Sequence, residues 1–265
     1  MKRSTFDKMR ENLRLQQVYN VLLRYGWDIA FDRWETVSDF RLSMQKWVWQ
    51  LPREIEPIPL PVKMRMMLEE LGPTYVKLGQ IISSRAEQLP PEWREQMAKL
   101  QSNVGPFPAD IAEKTIAREL GAPVNELYAS FEREPLAAAS TAQVHRATLP
   151  DGQQVVVKVQ RPDIDVTVRA DLNVVRDLTR LAQHRFAWAR KSDIAGITNE
   201  YADNILLELD YTNEAFNGRL LAQNMAVFPN VHVPEVYTEL SCTRVMVQEF
   251  VKGVKITNVA AIDAA

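Results

Sequence analysis

Lys158 stands inside the run Val155-Val156-Val157-Lys158-Val159. A charged amine among β-branched residues is costly to bury without a partner. Such a lysine either faces water from an edge strand or neutralises an anion. The preceding residues favour the anion. Ala137-Ala138-Ala139-Ser140 is a loop of small residues, Ala142–Leu149 reads as a strand, Asp151-Gly152 as a tight turn and Gln153–Gln160 as a second strand. A small-residue loop lets backbone amides approach phosphates, and a lysine on the adjoining strand neutralises them. That lysine needs a carboxylate to hold it. The stretch Leu206–Ala215, read as helix, offers Glu208, Asp210 and Glu214. Asp210 and Glu214, four apart, share a face of such a helix, while Glu208 points elsewhere. Taken alone, these acids are equally well a solvated face. Earlier in the chain, Lys77, Gln80 and Ser84 fall on one helical face at spacings of three and four, with Gly79 between them permitting close packing. In isolation this describes a surface lysine and glutamine beside a helix contact.

The elements that must position these residues follow from composition and punctuation. The chain has 265 residues, 46% hydrophobic and 25% charged, with a net charge of -2. This is globular composition, and the near balance of charge argues against nucleic-acid binding. The single cysteine, Cys242, excludes an internal disulfide or a multi-cysteine metal site, and it reads as a turn residue. No stretch reaches the roughly 18 apolar residues of a membrane span, and the charged N-terminus lacks the apolar middle of a secretory signal. A cytoplasmic protein, free or peripheral to a membrane, is expected.

Residues 1 to 50 hold Trp27, Trp34, Trp47 and Trp49, with Phe6, Met9, Leu13, Val18, Leu22 and Tyr25 at helical spacing. Such a basic amphipathic helix packs on its own domain or lies on a membrane surface. Residues 52–61, PREIEPIPLP, are too rich in proline to continue a helix and read as an extended linker or boundary. Helices are expected over Val62–Leu71, from Pro73 to about Gln88, from Pro91, and over Pro108–Leu120, with Gly72 and Gly121 as stops. Strands follow at Tyr128–Glu132 and in the hairpin of residues 142–160. A long helical region then runs from Pro162 to about Met225, broken near Ser192 and Gly196. A short strand between Pro229 and Pro234 precedes a second hairpin, Glu235–Leu240 with Thr243–Phe250. Helices and strands in separate runs give an α+β fold. His145 has no nucleophile or base partner in view and reads as structural.

Leu71-Gly72-Pro73-Thr74-Tyr75-Val76-Lys77-Leu78-Gly79-Gln80 closely resembles the KxGQ signature of the UbiB-like, or ADCK-type, atypical kinases. The likeness continues in order through Leu89-Pro90-Pro91-Glu92, the Ala-rich loop Ala137–His145, the lysine strand Val155–Lys158, an ExD motif Glu208-Leu209-Asp210 followed by Glu214, and a hinge-like Gln248–Gly253. It spans about residues 62–256.

The resemblance implies a protein-kinase-like N-lobe, an antiparallel sheet plus helices, with an N-terminal helical extension. It divides the chain into an extension and linker (1–61), a KxGQ helical region (62–127), an N-lobe with a helical insertion (128–256) and the start of a C-lobe that is otherwise absent (257–265). It implies that Lys158 contacts the α and β phosphates of ATP and pairs with Glu214, that Ala137, Ala138, Ala139 and Ser140 cover the nucleotide, and that backbone groups near Glu249 and Val251 hold the adenine. Lys77 and Gln80 would meet Glu208 and Asp210 as a regulatory set. The family is implicated in ubiquinone and related prenyl-quinone biosynthesis, with ATPase or unorthodox kinase activity and membrane association. Expected partners are therefore nucleotide, a membrane surface or prenyl-quinone lipid at the inner membrane, and quinone-biosynthesis proteins.

Phosphoryl transfer further needs a catalytic Asp and metal-binding residues. None of His145, His184 and His232 begins an H-x-D loop, and no Asp-Phe-Gly occurs. The expectation is a truncated, catalytically incomplete member, with no catalytic or metal residues of its own and Mg2+ ligands supplied by the absent C-lobe. The alternative is a non-catalytic nucleotide-, lipid- or partner-binding module. A purely structural adaptor would require Lys158 and Glu214 to stand more than about 6 Å apart, since an ion pair needs close approach.

Overall fold

The computed structural model describes residues 5–31, 58–84, 90–100, 105–185, 190–191, 193–254, 258 and 262. Expectations for Trp34, Trp47 and Trp49, the proline segment before residue 58, the helix beyond Ser84, Leu89 and the last residues lie outside that set. The described elements, in chain order, are helices α1 (Thr5–Phe31), α2 (Leu60–Leu71), α3 (Pro73–Ser84), α4 (Pro91–Ala98), α5 (Ala109–Leu120) and α6 (Val124–Leu127), then strands β1 (Ser130–Phe131), β2 (Ala137–Ala138), β3 (Ala142–Thr148) and β4 (Gln154–Gln160), helices α7 (Ile164–Arg185), α8 (Ile194–Glu208) and α9 (Tyr211–Met225), and strand β5 (Val245–Glu249). They fall into two compact units, residues 1–103 with 163–205, and residues 104–162 with 206–265.

The first unit is helical. Val18 of α1, Leu68 and Leu71 of α2, Tyr75 and Val76 of α3, Met97 of α4 and Val174 of α7 share one core with Leu100. Met9 and Leu13, expected on the same stripe as Val18, are instead 54% and 52% exposed, and α1 meets the core through Leu15, Val18, Val21, Leu22 and Tyr25. Gly72 breaks α2 from α3 at a φ of 95°, where a side chain would be strained. A polar knot crosses this core. Asp171 of α7 is fully buried and accepts from Arg14 Nε at 2.8 Å and from the Thr74 hydroxyl at 2.6 Å. Arg14 also donates to the Leu71 carbonyl, and the Tyr201 hydroxyl donates to that of Thr74. Burial raises the Asp171 pKa, against the opposing pull of Arg14 and Thr74.

The second unit is an antiparallel sheet in the order β1-β3-β4-β5, with β2 pairing the other end of β3. Strand alternation sorts its two faces. Val155, Val157 and Val159 of β4, with Val245 and Val247 of β5 and Ala147 of β3, point to Ala112 and Ile116 of α5 and to Tyr128. Each fully buried valine stabilises by about 1.5–2 kcal/mol. The opposite face carries Val156 and Lys158.

Several local expectations change. Residues 206–215 are not one helix. Leu209 is a turn and Asp210 is the extended N-cap of α9, a role aspartate fills because its carboxylate takes up the free first-turn N–H groups. Gly196 does not break α8: it lies in the first turn, its N–H bonded to Asp193 Oδ1 at 3.2 Å. The strand expected at 128–132 is only Ser130–Phe131, and Ala137–Ala138, expected as loop, pairs with β3. No strand forms between Pro229 and Pro234. In place of a strand Glu235–Leu240 there is a single bridge, Val236 to Gln248, and a short 3-10 turn at Thr238–Leu240. The Ser241 hydroxyl holds that turn by bonding the Tyr237 carbonyl at 2.7 Å.

Candidate functional site

The site is built on β4. Pairing with β3 on one side and β5 on the other makes β4 an interior strand, so Lys158 is not an edge lysine facing water. The register sets one row across four strands: Ala137, Val144, Lys158 and Met246. Strand spacing puts Ala137 roughly 10 Å from Lys158 along this row. Beyond Ala138 the chain turns tightly. The Ala139 N–H donates to the Ala142 carbonyl at 2.8 Å, and the Arg161 N–H to that of Thr141 at 2.9 Å. Ser140 is half-buried within the turn.

Lys158 Nζ donates to Glu214 Oε2 at 2.7 Å. The two side chains remain 27% and 47% exposed, so the pair is open to solvent on one side. This distance removes the purely structural reading, which required the two residues apart. The same ammonium lies 4.5 Å from the centroid of the Tyr211 ring. Tyr211 and Glu214 sit in the first turn of α9. Asp210 sets that turn, its Oδ1 accepting from the Thr212 N–H at 3.0 Å and the Thr212 hydroxyl at 2.7 Å. Glu208 ends α8 and is exposed. The three acids thus occupy a helix end, a cap and a first turn, and only Glu214 meets the lysine.

Gln160 closes the base of the site, its amide donating to the Leu209 carbonyl. Arg161, next in sequence, donates Nε–H to the Ala139 carbonyl at 2.9 Å and a terminal N–H to that of Gly105 at 2.8 Å, and lies over the Phe107 ring. The end of the lysine strand is thereby tied to the small-residue turn. At the end of β5, the Glu249 N–H donates to the Glu235 carbonyl at 2.8 Å. The Glu249 carboxylate accepts from the Glu235 N–H at 3.1 Å and meets His232 Nε2 at 2.8 Å. The Glu235 N–H, then His232, holds this carboxyl below its usual range. Val251 follows, 46% exposed. Arg146, on the Lys158 face of β3, lies 4.3 Å from the centroid of Phe250.

His145 is on the other face and fully buried. Its Nδ1 meets the Glu132 carbonyl at 2.8 Å and its Nε2 meets the Gln143 amide nitrogen at 2.8 Å, while Gln143 Oε1 accepts from the Phe107 N–H at 3.0 Å. A neutral imidazole with the proton on Nδ1 satisfies every partner, and burial pushes its pKa down.

Lys77 and Gln80 belong to the first compact unit, Glu208 and Asp210 to the second. Lys77 is half-buried. The Gln80 amide donates to the Leu100 carbonyl at 3.1 Å. Gly79 allows this close approach, since a Cβ there would lie 2.3 Å from Leu100 Cδ1. Sequence reasoning missed Tyr211, Arg161 and the Arg14–Asp171 pair. For Tyr211 the available signal was its place directly after a residue suited to cap a helix. Among the described residues, no group of three or more His, Cys, Asp or Glu side chains could hold a metal ion.

The model of the ABC1 atypical kinase-like domain matches residues 99–265. A probable protein kinase UbiB from Azotobacter vinelandii is 36% identical over 255 residues, covering 94% of this chain and 47% of its own length. Another, from Marinobacter nauticus, is 39% identical over 260 residues, covering 95% and 46%. The chain thus spans less than half the length of these relatives. Among solved structures, the Rv3197–erythromycin complex from Mycobacterium tuberculosis superposes with a TM-score of 0.53 at 32% identity, covering 73% of this chain and 49% of that one.

Proposed function

The chain belongs to the ABC1 atypical kinase-like family, and on that footing we propose that its sheet-bearing unit binds ATP as the nucleotide lobe of an atypical kinase or ATPase serving prenyl-quinone biosynthesis. The observation that carries this reading is the 2.7 Å pair between Lys158 on the interior strand and Glu214 on α9. An ammonium has three donors. With one committed to Glu214, two remain for phosphate oxygens. Ala137 and Ala138 on β2, with the turn at Ala139 and Ser140, offer little side-chain bulk and are assigned to cover the phosphates, and the backbone at Glu249 and Val251 is assigned to the base on the motif resemblance. Among the described residues no group of three or more His, Cys, Asp or Glu side chains is gathered to hold a metal ion, so no step is assigned to Mg2+ here.

Neither an H-x-D loop nor Asp-Phe-Gly occurs in these residues. Nucleotide binding is therefore the function proposed for them, and phosphoryl transfer only for a chain of the relatives' length. Lys77, Gln80, Glu208 and Asp210 are assigned to regulation on the motif resemblance alone. No helix among the described residues is long and apolar enough to cross a membrane, and attachment to a membrane surface or a quinone lipid is part of the proposal. A second reading, a small-molecule-binding module without turnover, draws on the solved relative named as an erythromycin complex.

Calorimetric titration with ATP, with and without Mg2+, tests the proposal on the wild type, Lys158→Ala and Glu214→Gln. Binding is expected in the wild type and at least tenfold weaker in Lys158→Ala. A folded wild-type protein that ignores ATP yet binds erythromycin would replace the first reading with the second.

A further inference from the structure

We propose that Tyr211 is a positioning residue for Lys158, its ring forming the floor that fixes where the ammonium sits and from which side a phosphate meets it. The phosphate half of this inference rests on the nucleotide reading above, and the positional half does not.

A lysine amine on a four-carbon stem has many places to go. Glu214 limits the distance, but a carboxylate that is 47% exposed moves with its own side chain. Tyr211 does not move in that way. It is 2% exposed, its N–H is bonded to the Thr243 carbonyl at 3.1 Å, and its ring packs with Ala142 and Met246. Met246 is the β5 residue directly opposite Lys158. The ammonium lies 4.5 Å from the ring centroid, within the range where the negative face of an aromatic ring attracts a cation. Positions 211 and 214, three apart, are neighbours on a helix surface. One turn of α9 therefore presents a fixed floor and an anionic wall, and the approach left to the amine is from the solvent to which the Lys158 side chain is partly exposed. The Tyr211 hydroxyl is buried and has no hydrogen-bond partner among the described residues. The ring, not the hydroxyl, makes the contact, so phenylalanine should serve equally well.

The test uses the full 265-residue chain with isotopically labelled lysine, the Lys158 resonance being assigned by its loss in Lys158→Arg. In the wild type and in Tyr211→Phe, the protons on the Lys158 ε-carbon are expected upfield, displaced by the ring current. In Tyr211→Leu the displacement vanishes, and ATP binds roughly fivefold more weakly than to Tyr211→Phe. If Tyr211→Leu does not fold, fluorinated phenylalanines at 211 replace it. They keep the shape and drain the ring face, so ATP affinity should fall stepwise with fluorination. A wild-type Lys158 signal at the random-coil position overturns the proposal, as does equal ATP affinity across the phenylalanine, leucine and fluorinated variants. If the wild type does not bind ATP at all, the nucleotide reading fails, and the ring-current shift alone decides the role of Tyr211.

Discussion

The carboxylate of Asp210 accepts two hydrogen bonds from Thr212, from the N–H at 3.0 Å and the hydroxyl at 2.7 Å, and so starts the helix that carries Glu214. An acid read from the sequence as part of a motif thus has a local structural task of its own. Asparagine caps helices as well as aspartate, whereas alanine does not. Asp210→Ala should lower stability by about 1 kcal/mol, and Asp210→Asn should leave it unchanged in thermal unfolding. Any loss of nucleotide affinity in the asparagine variant then reports the charge rather than the cap.

Glu214 should behave in the opposite way. Partly exposed ion pairs contribute at most about 1 kcal/mol to folding. Glu214→Gln is expected to unfold close to the wild-type temperature while binding ATP several-fold more weakly, because Lys158 loses the anion that orients it. Parallel losses of stability and affinity would place Glu214 in the scaffold instead.

Arg161 reaches across from the end of the lysine strand to the small-residue turn through the Ala139 carbonyl. Lysine cannot reproduce a guanidinium fork that serves two carbonyls. Arg161→Lys and Arg161→Ala should both speed hydrogen exchange at the Ala139 amide and weaken ATP binding about three- to tenfold. Unchanged exchange there would show that the turn holds without Arg161.

His145 makes stability depend on pH. Burial sets its folded pKa below the unfolded value of about 6.5. The unfolded chain therefore takes up the proton first as pH falls. The contribution of His145 is complete above pH 6.5 or so and is lost on acidification below it, by at most about 1.4 kcal/mol per pH unit. Denaturant unfolding at several pH values should show this slope reduced in His145→Gln, a comparison that cancels the titration of His184 and His232.

In the helical unit, Asp171→Ala should destabilise by about 3–5 kcal/mol, because it leaves the Arg14 guanidinium in the core without its anion. The pair Arg14→Met with Asp171→Leu should recover most of that loss, since replacing both members with apolar groups leaves no orphaned charge. A double variant no better than Asp171→Ala would mean that the Thr74 and Leu71 contacts carry the stability.

The sequence was most legible where one residue type dominates a short span. The valines of residues 155–159 announced an inward face, Gly72 and Gly121 ended their helices, and the ordered motifs identified the family that the domain match also shows. It was least legible where local and distant forces compete. Residues 206–215 are apolar and acidic enough to read as one helix, yet Asp210 turned that stretch into two. Residues 235–240, with Val236, Tyr237 and Thr238, read as a strand, but the Ser241 hydroxyl captured the chain in a turn. Arg14 and Asp171 are separated by 157 positions, and nothing near either one signals the other. Tyr211 went unremarked because its contact depends on Lys158, which reaches it from strand β4.

The sheet has little to offer a second copy of itself. On one side β1 and β2 are two residues each and divide the length of β3 between them. On the other, the backbone of β5 is already bonded by Tyr237 N–H to Val247 and by Glu249 N–H to Glu235. Templates for strand addition are long, flat and unoccupied, and neither margin is. The sheet unit can therefore be kept at high concentration without polymerising through its strands, and whatever self-association it shows should come from side-chain surfaces, weakening with mild detergent rather than building fibrils.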